Sequence, residues 1–302
     1  MRLLREGIVP KHRWLLSLLT CASLWGTAVP ALSQALLPYV PKLDTQQLEQ
    51  QGLELAQDAI QLYRFRQYDL ALPRAQLAAQ LAPNLFQTWL VLGSLYVQQE
   101  EFEQAIAALD KARTLAPEDA KAQISFVLGD AYFQRGDYPS AIAQIQTGLK
   151  LEPEASEAWF NLGNAHLKQN QYSEAISAYQ KAVQQEKEFW PALNNIGLIK
   201  YEQGDIKGAL QQWQAALVID SAQAEPQLAM AVALYAQGKR EEGLKAGETA
   251  LSIDPRYADL EFLQQNLWGD RLLRDTQALL TTPQIQAVLA RLQEELPPIQ
   301  IP

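Results

Sequence analysis

The sequence predicts an all-α protein built as a stack of antiparallel helix pairs, and three observations carry the prediction. Gly93, Gly129, Gly163 and Gly197 are spaced 36, 34 and 34 residues apart, with Ala59 34 residues before the first and Ala231 34 after the last. Around each, apolar residues recur at i, i+3, i+4 and i+7, the period of a helix and not of a strand. Pro83, Pro117, Pro153 and Pro255 stand near the ends of successive periods. There the pyrrolidine ring forbids continuation of a helix.

The units fall at 52–85, 86–119, 122–155, 156–189, 190–223 and 224–257. Small residues at the eighth and twentieth positions (Gly93 with Ala105, Gly163 with Ala175) let two helices approach closely. Large residues at the fourth, seventh, eleventh and twenty-fourth positions fill the space around that crossing. Polar pairs such as Gly136-Asp137, Asn170-Gln171 and Gly204-Asp205 turn the chain between helices. Two units carry Lys187 and Ser221 in place of the proline, and their second helices are expected to run on slightly. Two extra residues near 120–121 are expected to lengthen one turn or helix without breaking the stack. The first unit (Ala59, Leu62, Ala71, Ala75, Ala78) and the last (Gly243, Gly247) are degenerate, as the ends of an array tend to be. Residues 258–280 and 283–295 read as further helices, with Pro283 placed as a helix start. Within 258–296, Leu263, Leu267, Leu272, Leu273 and Leu280 are expected to cap the open end of the stack. Residues 297–302 read as an extended tail.

The first clear unit runs Trp89, Leu92, Gly93, Tyr96, Ala105, Leu109, Ala112, Pro117, and residues 156–182 read SEAWFNLGNAHLKQNQYSEAISAYQKA. This pattern, held in register over six units, resembles the tetratricopeptide repeat (TPR) family. The resemblance implies an α-solenoid, a right-handed superhelix whose first helices line a concave groove that binds other proteins. Carried over to the family's groove positions, it implies a peptide-binding groove of Leu90, Phe126, Asp130, Phe133, Phe160, Asn161, Asn164, Leu167, Asn194, Asn195, Leu198, Tyr201, Leu228 and Tyr235. The aromatic and aliphatic side chains among them point to an apolar or amphipathic segment as ligand, with basic flanks. Truncating Phe126, Phe160 or Tyr201 to Ala is expected to weaken such binding by about 1–2 kcal/mol each. Residues 34–51, folded back into the groove, are a competing occupant. Chaperone-docking members of the family hold a C-terminal carboxylate with a clamp of cations and asparagines. Asn164 and Asn195 match its asparagines, but Phe160, Glu225 and Ala229 stand at its basic positions. Without cations no such clamp is expected. Asn161 and Asn195 resemble the asparagine ladder of TPR-bearing glycosyltransferases, which bonds a peptide backbone.

Composition narrows the function further. The chain has 34 acidic and 25 basic residues and a formal charge of −9, with no basic run after Arg13, which disfavours a nucleic-acid partner. Its one cysteine (Cys21) and one of its two histidines (His12) lie in the first 35 residues. The remainder offers no thiol chemistry and no multi-histidine metal site. His166 stands at an eleventh position and is read as a packed core residue. Phosphate-loop, dinucleotide, zinc-protease and serine-hydrolase motifs are absent, so neither an enzyme nor a cofactor is expected.

Residues 1–13 are basic and 14–29 mostly apolar, and small residues follow at Ala31, Ser33 and Ala35. Residues 1–33 therefore read as a signal peptide or N-terminal membrane anchor, with membrane association possible through 14–40, and 34–51 as a linker. Either form places the body on the exported side of a membrane, in a periplasm or thylakoid lumen. The leader style and segment 266–280 are similar to exported or thylakoid-associated TPR proteins of cyanobacteria and plastids. The reading is a non-enzymatic scaffold or assembly factor. The alternative is a self-associating subunit of an envelope or thylakoid complex, its groove filled by a neighbouring copy.

Overall fold

The computed structural model describes residues 44–295, and all regular structure among them is helical. The leader read over 1–33 and the tail read over 297–302 lie outside the described residues. Six helix pairs follow one another. They are α1 (Thr45–Arg64) with α2 (Tyr68–Leu81), α3 (Phe86–Gln98) with α4 (Phe102–Leu115), and α5 (Lys121–Gln134) with α6 (Tyr138–Leu151). Then come α7 (Ser156–Lys168) with α8 (Tyr172–Gln185), α9 (Trp190–Glu202) with α10 (Ile206–Ile219), and α11 (Ala224–Ala236) with α12 (Arg240–Ile253). Three shorter or terminal helices close the sequence: α13 (Leu260–Gln265), α14 (Asp270–Leu280) and α15 (Pro283–Glu295). α1 begins seven residues before the expected unit start, inside the segment read as linker.

The turn within each pair puts one residue in the left-handed region: Arg66, Glu100, Gly136, Asn170, Gly204 and Gly238. The turns thus share the period of the small residues at the crossings. After two of them an aspartate satisfies a first-turn N–H, Asp137 accepting from Ser140 N at 3.2 Å and Asp205 from Gly208 N at 2.9 Å. Between pairs the tryptophans fix the exit angle. Trp89 Nε1 donates to the Pro83 carbonyl at 2.9 Å and Trp159 Nε1 to that of Pro153 at 2.8 Å.

The overrun expected at Lys187 and Ser221 does not occur. α8 ends at Gln185 and α10 at Ile219, two residues ahead of the proline-equivalent position, just as α4 and α6 do. Packing against the next pair sets the helix end, and at the second site Asp220 accepts the Ala222 N–H at 2.9 Å and ends the helix without a proline. The lengthened connection holds a three-residue 3-10 turn, Glu118–Ala120, from which α5 starts at Lys121, and the stack continues through it.

Inside each pair the small residue faces a larger one on the second helix. A Cβ on Gly93 would run into Leu109, on Gly129 into Ile145, on Gly163 into Tyr179 and on Gly197 into Trp213. The facing side chain grows from Leu to Trp along the stack, and all four are buried. Successive first helices also touch one another, α1 with α3, α3 with α5, α5 with α7 and α9 with α11, whereas no comparable contact joins successive second helices among the described residues. The stack therefore curves with its first helices inside, and these form the concave face.

The single helix expected over 258–280 is broken. A 3-10 turn spans Pro255–Ala258, α13 starts where Asp259 accepts the Glu261 N–H at 2.8 Å, and Leu267 leaves it at φ 70°. α15 packs on α12 with Ile285 buried beside Gly247, and so covers the end of the stack. α14 reaches the same place with Leu279 beside Gly247, buries Leu272 and Leu280 in one core with Leu251 of α12, and also turns inward onto α9 and α11.

Candidate partner-binding groove

The concave face has two halves with different surroundings. In the C-terminal half the chain supplies its own occupant. α14 is strongly amphipathic, and its Leu272, Thr276 and Leu279 are buried in a core with Leu198 and Tyr201 of α9 and Leu228 and Val232 of α11. Polar contacts fix its register. Glu202 accepts the Arg271 N–H at 3.1 Å and the Leu272 N–H at 2.9 Å, capping α14 with a carboxylate where the helix dipole favours one. The approach is so close that a Cβ on Gly269 would strike the Glu202 carboxyl. Tyr201 donates its hydroxyl to Asp275 Oδ2 at 2.6 Å, and the Arg271 guanidinium lies 5.2 Å from the Tyr201 ring centre. Burial, aided by the Asp275 carboxylate, pushes the Tyr201 hydroxyl up and keeps it a donor.

Ahead of α14, Trp268 is buried and donates Nε1–H to Glu225 Oε1 at 2.9 Å. Desolvation pushes the Glu225 carboxyl up to about 7, against the opposing pull of Trp268 and the adjacent Asn194 amide. From there a chain of amides crosses the groove floor. Asn194 Nδ2 donates to Asn195 Oδ1 at 3.2 Å, and Asn195 Nδ2 donates to Asn164 Oδ1 at 3.1 Å and to the Tyr179 hydroxyl at 3.2 Å. Tyr179 in turn donates to Asn164 Oδ1 at 2.7 Å. Asn194 Oδ1 is buried and unpartnered.

The N-terminal half is open. A hollow of about 320 Å³ lies between α1, α3 and α5, with Ile60, Tyr63, Leu90, Val91 and Val127 among its apolar lining and Ser94, Gln98 and Gln123 as polar lining. Asp130 lines this hollow and also a smaller one of about 80 Å³ with Phe133, Asn161 and Asn164. Asp130 accepts from Gln134 Nε2 at 3.0 and 3.1 Å, and burial raises its carboxyl above the usual range.

The structure therefore divides the sequence-predicted site residues. Leu90, Asp130, Phe133, Asn161 and Asn164 come together in the open half. Asn194, Asn195, Leu198, Tyr201 and Leu228 are buried, and 270–280 lies over the last three; most of the competing segment 34–51 lies outside the described residues. Phe126 packs against Gly148 of α6, and Phe160 lies 5.6 Å from the Tyr179 ring and 5.4 Å from that of Phe189. Truncating Phe126 or Tyr201 thus perturbs folding before binding. Leu167 is half-buried beside the α13–α14 connection, and half-buried Tyr235 stacks near Arg240. His166 is buried in the core, its Nδ1 2.6 Å from Gln171 Oε1. Sequence reasoning missed Ile60 and Tyr63, which the 34-residue register would have paired with Ser94 and Val97. The Glu202 cap and the Glu225–Trp268 contact left no periodic signal.

Among the described residues no group of His, Cys, Asp or Glu is placed to hold a metal ion, and no helix is long and apolar enough to cross a membrane. Models of the tetratricopeptide repeat match residues 84–154, 126–191 and 197–238. No curated protein matches the sequence. Solved structures share the fold. PilW, described as a widely conserved type IV pilus biogenesis factor, aligns with TM-score 0.61 at 18% identity over 79% of this chain and 98% of its own. PilF of Pseudomonas aeruginosa aligns with TM-score 0.59 at 15% identity, over 73% and 98%. A MamA protein aligns with TM-score 0.51 at 23% identity, over 58% and 93%.

Proposed function

We infer that this chain, which belongs to the tetratricopeptide repeat family, is a non-enzymatic protein-interaction scaffold whose free recognition surface is the N-terminal half of its concave face. The observation that carries this reading is the hollow of about 320 Å³ between α1, α3 and α5, apolar on its floor and amide-bearing beside it. A concave, largely apolar site with a few polar groups suits an apolar or amphipathic segment. The C-terminal half supports the same reading by example, since the segment it holds is an amphipathic helix. The basic and then apolar leader argues for action on the exported side of a membrane, and reading the mature N-terminus in fractionated cells tests that part.

Site-specific photo-crosslinking in the native host tests the groove. A benzophenone residue at Leu90 or Phe133 is expected to capture the same protein, and one at exposed Gln180 on α8 to capture none. Leu90→Asp is expected to abolish capture from Phe133. Equal capture from Gln180, or none from the groove, refutes the assignment.

A further inference from the structure

We propose that the open half of the groove selects a peptide segment presenting a lysine or arginine side chain, whose cation pairs with the Asp130 carboxylate. The proposal rests on the groove being the partner site and adds the chemistry of the partner.

Charge complementarity is the first argument. Asp130 is shared by the two adjoining hollows, and Tyr63 is the one other titratable side chain that lines either of them. A ligand lying along the groove meets this carboxylate at its centre. Among the described residues no cation pairs with it, and its one hydrogen-bonding partner is the neutral Gln134 amide. The chain thus carries a partly desolvated carboxylate in a largely apolar hollow with an amide partner but no compensating positive charge, an arrangement that destabilises the free protein. Burial pushes the Asp130 carboxyl above its ordinary range, against the pull of the Gln134 amide, as that imbalance requires. A cation delivered by the ligand removes it, in a setting where solvent screens the pair less than at an open surface.

The second argument concerns what stands beside Asp130. Asn164 Oδ1 receives two donors from the core side, the Tyr179 hydroxyl at 2.7 Å and Asn195 Nδ2 at 3.1 Å. With Oδ1 so assigned by the network, the Asn164 Nδ2 hydrogens are left for the hollow it lines. The smaller hollow therefore offers an amide donor and a carboxylate acceptor beside Phe133. An acidic segment is repelled by Asp130, and a purely apolar one leaves the carboxylate stranded.

The test uses the full chain and a defined set of acetylated, amidated seven-residue peptides, leucine- and phenylalanine-rich, varied only at the centre among Lys, Arg, Gln and Glu. Fluorescence anisotropy is expected to rank Lys and Arg at least about tenfold above Gln, with Glu weakest. In Asp130→Asn the preference is expected to shrink to within about twofold, Gln-centred binding persisting and the thermal midpoint unchanged or raised. Raised salt is expected to weaken the Lys and Arg peptides alone. Two results overturn the proposal: an equal ranking of Gln with Lys in the native chain, or an undiminished preference in Asp130→Asn. If no peptide binds at all, groove crosslinking from Leu90 decides the level of failure. Crosslinking present sinks the charge selectivity alone, and crosslinking absent sinks the groove assignment with it.

Discussion

Replacing Glu225 by Gln asks how the self-occupied half of the groove is held. The carboxyl lies between Trp268, whose indole donates to it at 2.9 Å, and the side-chain amide of Asn194. Its pKa moves from an ordinary 4.5 up to about 7 in the folded chain. A carboxyl whose folded value is raised binds more protons folded than unfolded between those two values. Stability is therefore lost as pH rises from about 4.5 through about 7, by about 2–3 kcal/mol, the lower end because solvent still reaches part of the side chain. Gln is neutral like the protonated form and keeps an acceptor for Trp268 and for the Asn194 amide. Glu225→Gln is expected to leave stability near pH 5 almost unchanged and to raise it by about 2–3 kcal/mol near pH 8. Urea unfolding followed by tryptophan fluorescence measures both. The raised Asp130 titrates in the same direction in both proteins, so the difference between them isolates position 225. If the native chain is as stable near pH 8 as near pH 5, and the variant matches it throughout, Glu225 is a hydrated, ordinary carboxylate and the reasoning fails.

Other perturbations read the packing. Gly197→Ala gains about 1 kcal/mol of helix propensity but drives a methyl into Trp213, which is buried and tied to the Asn194 carbonyl at 3.2 Å. A net loss of about 1–2 kcal/mol by circular dichroism melts is expected. Gly247→Ala meets side-chain atoms no nearer than 3.3 Å and is expected to gain about 0.5–1 kcal/mol, so equal effects at the two sites would contradict the packing. Leu272→Ala removes a fully buried side chain of α14, at about 2–5 kcal/mol. Hydrogen exchange should then quicken in α9, α11 and α14 and stay unchanged in α3 and α5; no change in α9 and α11 would show that α14 does not seal them.

The period made the fold legible, because each unit solves the same packing problem with the same small-against-large crossing. Gly163 facing Tyr179 and Gly197 facing Trp213 sit where the repeat pattern puts a small residue against a large one. The ends of second helices were less legible. Proline marks a stop, but Gln185 and Ile219 end their helices without one, since neighbouring pairs impose the stop. The groove was half legible. Leu90, Asp130 and Phe133 were found by register, whereas the same register placed Tyr201 and Leu228 on an open surface that α14 covers. Nothing periodic announces that covering. Its signals are single residues: Gly269 where Glu202 approaches, Leu267 in a left-handed turn, and Trp268 with an indole in need of an acceptor.

Most contacts in the array join neighbours, but α14 reaches back some 70 residues to Tyr201 and Glu202. A nearest-neighbour stack behaves as a chain of weakly coupled springs, each pair able to part from the next alone. Tension drawn between Thr45 and Pro283 therefore finds two materials. The pairs from α1 to α8 can peel off singly, each a small extension at modest force. The stretch from α9 to α14 is stitched across its inner face and must rupture as one block, so the molecule is compliant at one end and stiff at the other.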